Sequence, residues 1–179
     1  WLGGICASSS LWRQTHLLLS GTGYIVWRLT GEATIDHYDV GAYAPLYNPD
    51  TLDWDPAFAE LIAPPAWMAC PTWTCTIAGQ IHADGALASG LAVGTPVITG
   101  TADAAAEAIS AGMAAVGDMM IMYGSSIFFI ARTNQRPASR DARRWTCPGW
   151  TRSASATPPL SWPACGPATR SVGRPGAGT

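Results

Sequence analysis

The stretch 97-VITGTADAAAEAISAG-112 decides the fold. Val97 to Thr99 are strand formers, Gly100 interrupts them, and from Asp103 onward the residues are small helix formers. A strand that ends in a glycine turn and resumes as a helix is the building unit of an α/β architecture. Asp103 stands at the joint, where two readings are compatible. Asp before Ala-Ala-Ala-Glu is a favoured helix N-cap, with Glu107 near the first turn to complement the helix dipole. A carboxylate that follows a strand and a small-residue turn can also face a cleft and take a proton as a general base. The residues alone leave both open.

Working outward, the order persists over residues 76–133. A run 76-TIAGQI-81 precedes a helix over 83-ADGALASG-90, a Gly-Thr-Pro turn and a strand over 96-PVITG-100. After the helix from Asp103 to about Ala111, 118-DMMIMYGSSIFFIAR-132 forms two apolar runs around Gly124, Ser125 and Ser126, which predicts a hairpin. Met119, Met120 and Met122 read as core strand residues. Upstream, residues 11–62 read as helix, turn, helix. Gly21 and Gly23 interrupt an apolar run, Gly31 ends the helix, and 33–55 is turn-rich around Pro49 and Asp50. Asp55 and Pro56 open a short helix over 57-AFAELI-62. The pairs Asp36/Asp39 and Asp53/Asp55 sit in loops and are expected to be turn caps and solvated charges.

Three segments lack period: 3-GGICASSS-10, 64-PPAWMACPTWTC-75 and everything from Gln135. They hold all five cysteines, Cys6, Cys70, Cys75, Cys147 and Cys165. The odd count and the spacing match neither a zinc site nor a disulfide framework, so no metal is expected. His16, His37 and His82 are far apart and read as surface or locally bonded residues. From Gln135 the only Leu, Ile or Val residues are Leu160 and Val172, too little apolar surface to offset chain entropy, so 135–179 is expected to be a disordered basic tail.

The net charge of -2 conceals an asymmetry. All ten basic residues are arginine, and seven follow position 134 against a single acid there, Asp141. Those arginines alternate with Pro, Ser, Thr and Gly without period, which argues against a nucleic-acid partner. The apolar pieces 17-LLL-19 and 24-YIVW-27 are too short and too interrupted to span a bilayer, and no signal-peptide pattern precedes them. The cytoplasm is the expected location and no membrane partner is expected. Nothing in the sequence indicates an oligomeric state.

Four motifs in order, 28-RLTGE-32, 52-LDWD-55, 90-GLAVGTPVITGTADAAAEAISAG-112 and 117-GDMMIMYGSS-126, resemble the FGGY family of carbohydrate kinases, in particular its xylulokinase-like branch. The resemblance covers roughly residues 11–134, with a poor patch at 64–75. It implies an actin-like, ribonuclease H-like ATPase fold, with 11–117 the C-terminal part of the first domain and 118–134 the first hairpin of the second. It also implies phosphoryl transfer from ATP, with Mg2+, to the hydroxyl of a small sugar, xylulose or a related ketopentose. Asp103 aligns with the catalytic aspartate. Gly124, Ser125 and Ser126 align with a phosphate-binding turn, in which Ser125 stands where threonine is usual. The alternatives within kinases are ribulokinase-like and glycerol kinase-like; outside them, a non-catalytic interaction protein or a pseudogene product.

The sequence departs from the family at both ends. The chain begins at Trp1, residues 1–10 are aberrant, and the tail from 135 replaces a folded domain, which reads as a truncated fragment with a reading-frame shift near 134. The first phosphate-binding hairpin, the sugar-contacting residues and most of the adenine site are expected to be missing, so no turnover is expected of this chain alone.

Overall fold

The computed structural model describes residues 10–58, 63–125 and 127–134. The expected tail 135–179, nearly all of segment 1–10, and Ser126 lie outside the described residues. So does the continuation at 59–62 of the helix that Asp55 opens.

Helices α1 (Ser10–Gln14) and α2 (Gly21–Thr30) are separate elements. Gly21 and Gly23, which interrupt the apolar run, lie in the first turn of α2. The Ser20 side chain caps that turn, its hydroxyl accepting from the Gly23 amide at 3.1 Å. The helix ends where expected. Gly31 takes φ 81°, and its N–H donates to the Trp27 carbonyl at 2.8 Å.

Strand β1 (Thr34–Asp36) follows, then the one-turn helix α3 (His37–Val40), and then the hairpin of β2 (Tyr47–Asn48) and β3 (Asp53–Trp54). The turn predicted at Pro49 and Asp50 closes this hairpin, with Asn48 Oδ1 accepting from the Asp50 amide at 2.9 Å. Asp55 caps the next turn as predicted, its carboxylate accepting from the Ala57 amide at 3.0 Å.

The aperiodic patch 64–75 is part of the fold. Within it β4 (Cys70–Thr72) pairs in parallel with β1, in the register Thr34↔Cys70, Ile35↔Pro71 and Asp36↔Thr72. Ala69 is buried with Ile35, Val40 and Tyr47 in a first hydrophobic cluster. Trp54 packs against that cluster and donates its indole N–H to the Ala69 carbonyl at 2.7 Å. Burying each large aliphatic or aromatic side chain here is worth about 1.5–3 kcal/mol. The cysteines also depart from expectation: Cys75 is a free, exposed thiol, but Cys70 is disulfide-bonded.

Beyond β4, strands β5 (Ile77–Gln80) and β6 (Pro96–Ile98) form an antiparallel ladder, with α4 (Ala83–Ser89) between them in sequence. His82 caps α4, its Nδ1 accepting from the Gly85 amide at 2.8 Å. Helix α2 packs on α4 and on β1, β5 and β6. Helix α5 (Asp103–Ser110) leads to the hairpin of β7 (Met119–Tyr123) and β8 (Ile127–Ala131). The inner face of that hairpin, Met120 and Ile130, packs with Tyr38 on Ala105, Ala108 and Met113, a second cluster. Met119 is not the core residue expected of it. It lies on the outer face, 59% exposed. Among the described residues no helix is long and apolar enough to cross a membrane.

Candidate functional site

Asp103 is presented by a short loop held from several sides. Strand β6 ends at Ile98, and the chain then runs through Thr99 to Ala102 into α5. The Thr99 amide donates to the Thr76 carbonyl at 2.9 Å and the Gly100 amide to the Thr74 carbonyl at 3.0 Å. Gly100 takes φ 74°, and a Cβ there would come within 2.8 Å of Thr22 Cγ2, so the position demands glycine on both conformational and steric grounds. The Thr22 hydroxyl donates to the Thr101 carbonyl at 3.0 Å. The Thr101 hydroxyl donates to Asp36 Oδ2 at 2.7 Å.

Asp103 itself is exposed. Its carboxylate accepts from the next amide, Ala104 N–H, at 2.7 Å. The N-cap position belongs to Ala102, whose backbone is extended (φ -68°, ψ 157°), so Asp103 is the first helical residue rather than the cap. The side chain therefore sits at the N-terminal end of α5. It belongs to neither hydrophobic cluster. An apolar cavity of about 150 Å³, lined by Leu19, Ile35, Tyr43 and Trp54 among others, lies within the first cluster and does not include Asp103.

Gly124 and Ser125 are exposed in the turn of the β7–β8 hairpin, where Tyr123 pairs with Ile127. Ser126 is outside the described residues. Helix α5 and this hairpin share the second hydrophobic cluster, so the element that carries Asp103 and the element that carries the turn are packed together.

Asp36 was expected to be a solvated loop charge and is instead buried, 2% exposed. Its Oδ2 accepts from Thr101 Oγ1 at 2.7 Å and Thr74 Oγ1 at 3.0 Å, and its Oδ1 from the Asp39 amide at 3.2 Å. Burial pushes its carboxyl above the ordinary value, and the three hydrogen bonds oppose that shift. Local sequence carried no signal for this. Thr74 and Thr101 are 38 and 65 residues away.

Asp118 was also passed over. It accepts from the Ala114 and Ala115 amides, at 2.8 Å and 2.6 Å. Those amide bonds, Ala115 first, hold its carboxyl below the usual range, with the Arg132 guanidinium adding to the effect. The buried His37 is a satisfied core histidine, with Nδ1 2.8 Å from the Tyr47 hydroxyl and its ring edge-on to Trp73. Among the described residues no group of three His, Cys, Asp or Glu side chains is arranged to hold a metal ion.

A strand–glycine–Asp–helix joint followed by an apolar hairpin is the order of elements that the sequence motifs anticipated. The profile of the FGGY family of carbohydrate kinases, N-terminal domain, matches residues 8–110, more than half of the 179-residue chain. The chain belongs to the FGGY family. Its fold is accordingly part of the α/β actin-like, ribonuclease H-like ATPase fold. Autoinducer-2 kinase of Escherichia coli (strain K12) is 25% identical over 118 residues, 65% of this chain and 22% of that enzyme. The crystal structure of xylulose kinase from Rhodospirillum rubrum superposes with a TM-score of 0.69 at 24% identity, over 75% of this chain and 28% of that one. Plasmodium falciparum glycerol kinase with ADP gives a TM-score of 0.61 at 13% identity, over 72% of this chain and 26% of that one. The last two likenesses speak to fold alone. The chain spans about a fifth of the length of the curated relative it matches.

Proposed function

We propose that this chain carries the sugar-hydroxyl side of an ATP-dependent carbohydrate kinase, with xylulose or a related ketopentose as acceptor. The observation that carries the reading is the exposed carboxylate of Asp103 at the start of α5, held on a loop tied down by its neighbours. In this reading residues 11–117 belong to the first domain of the kinase and 118–134 open the second.

A sugar hydroxyl is a weak nucleophile at neutral pH. Asp103 orients it by accepting its hydrogen bond, then takes its proton as the oxygen bonds to phosphorus. Gly124 and Ser125, exposed at a turn, offer backbone N–H and hydroxyl donors of the kind that hold phosphate oxygens. When bound, MgATP supplies the γ-phosphoryl group and ADP as leaving group. The residues described here fit Mg2+ carried in on the nucleotide phosphates rather than a protein-built cage, since no acidic cluster is assembled among them.

The test is a chimera in which residues 11–134 replace the matching segment of a xylulose kinase. Asp103→Asn in that chimera is expected to lower kcat by about 10²–10⁴-fold. Full turnover by Asp103→Asn would overturn the assignment. The chain by itself is expected to release no ADP in a coupled assay with pentoses or glycerol, since positioning and charge stabilisation carry most of phosphoryl transfer.

The outer face of the β7–β8 hairpin favours a second reading, a non-catalytic interaction protein, because Ile121, Tyr123, Ile127 and Phe129 are all more than half exposed there. A defined, monodisperse complex formed through that face, together with an inactive chimera, would favour it.

A further inference from the structure

We infer that Asp36 is a positioning residue for Asp103, acting through Thr101 to fix the loop that presents the carboxylate. The inference rests on the reading of Asp103 as the acceptor base.

Thr101 lies two residues before Asp103 and is gripped on both sides. Its hydroxyl donates to Asp36 Oδ2 at 2.7 Å and its carbonyl accepts from Thr22 Oγ1 at 3.0 Å. Asp36 is itself anchored. It ends β1, whose register with β4 places it opposite Thr72, and its other oxygen accepts from the Asp39 amide at 3.2 Å. Its Oδ2 also accepts from Thr74 Oγ1, and the Thr74 carbonyl accepts from the Gly100 amide at 3.0 Å. One carboxylate therefore joins β1, the turn after β4 and the loop before α5. Each bond taken from a buried carboxylate leaves an acceptor short of a partner, so the arrangement resists opening. The consequence for chemistry is a base whose backbone does not wander. A shift of about 1 Å in a reacting group costs on the order of 100-fold in rate.

The experiment measures backbone 15N order parameters in the full chain, with no sugar or nucleotide present. Thr101→Val removes one donor and leaves Asp36 its bonds to Thr74 and the Asp39 amide, so it is the variant that keeps the fold. Thr101→Ser restores the hydroxyl. In Thr101→Val the order parameters of Gly100 to Ala104 should fall from about 0.85 to below about 0.6, with α4 and β7 unchanged, and in Thr101→Ser they should recover. Asp36→Asn should loosen the same residues. Unchanged order over 100–104 in Thr101→Val, a fall spread evenly over the fold, or failure of serine to restore order would each overturn the inference. Because the measurement contains no substrate, it stands apart from the chimera assay. A loop that loosens beside an active Asp103→Asn chimera sinks the base assignment, and a loop that does not respond beside an inactive one sinks the positioning role.

Discussion

Gly85 of α4 lies against the backbone carbonyl of Leu29 in α2 so closely that a methyl group has no room. A Cβ there would fall inside contact distance of the Leu29 oxygen and 3.0 Å from its carbonyl carbon. The obstacle is backbone, so no side-chain rotation relieves it. In an open helix Gly→Ala stabilises by about 1 kcal/mol. Here the clash should win, and Gly85→Ala should destabilise by about 1–3 kcal/mol. A chemical denaturation curve against wild type checks this. A gain in stability would mean that α2 and α4 are further apart than the structure has them.

Much of the fold can be traced in the sequence, and the exceptions share a cause. Gly31, Asp55, the Pro49–Asp50 turn and the β7–β8 hairpin were legible because each rests on residues within a few positions of one another. The parallel pairing of β1 with β4 was not. Each strand is three residues long, Pro71 breaks any β signal, and the partners are 36 residues apart. Gly23 reads in the sequence only as a break in an apolar run because its reason is tertiary: a Cβ there would meet the Thr34 carbonyl at 2.7 Å. Asp36 looked like a loop charge because its hydroxyl partners are far along the chain. Asp103 could be located as a joint residue from sequence, but not its exposure or its place one residue inside the helix.

The buried carboxyl of Asp36 sets a pH dependence with an unusual sign. Burial raises its value in the folded state above the unfolded value of 3.8. Between those two values the folded chain holds the proton more tightly, so stability falls as pH rises through the window and levels off above it. Asp36→Asn removes that titration. The stability difference between wild type and Asp36→Asn, followed by denaturant melts from pH 3 upward, should therefore shift against wild type as pH rises through the window. A difference that moves in favour of wild type would mean that the hydrogen bonds from Thr101, Asp39 and Thr74 outweigh burial.

Ser20 offers a test of the N-terminal register. Its side chain accepts from the Gly23 amide at 3.1 Å and starts α2 three residues ahead of the glycine that touches Thr34. Ser20→Ala should cost about 1 kcal/mol, and Ser20→Asp should retain most of the stability because the acid caps equally well and suits the helix dipole. Equal losses in the two variants, read by thermal denaturation, would argue that α2 begins elsewhere.

The outer face of the β7–β8 hairpin sets up the last prediction. Cross-strand pairing brings Ile121 opposite Phe129 and Tyr123 opposite Ile127, and all four side chains point away from the cluster formed by Met120, Ile130 and α5. A continuous apolar face on a two-stranded sheet invites association, and no charged residue lies between Met119 and Ala131 to oppose it. Replacing Ile121 and Phe129 together by Thr keeps β propensity while removing most of the apolar contact. The double variant should bind a hydrophobic dye more weakly and sediment as a smaller species than wild type. Its melting temperature should change little, because neither side chain is in the core. Met120→Thr, one position along on the inner face, should do the opposite: a lower melting temperature and stronger dye binding. If the two substitutions behave alike, the alternation of inner and outer faces, and with it the docking of the hairpin on α5, is wrong.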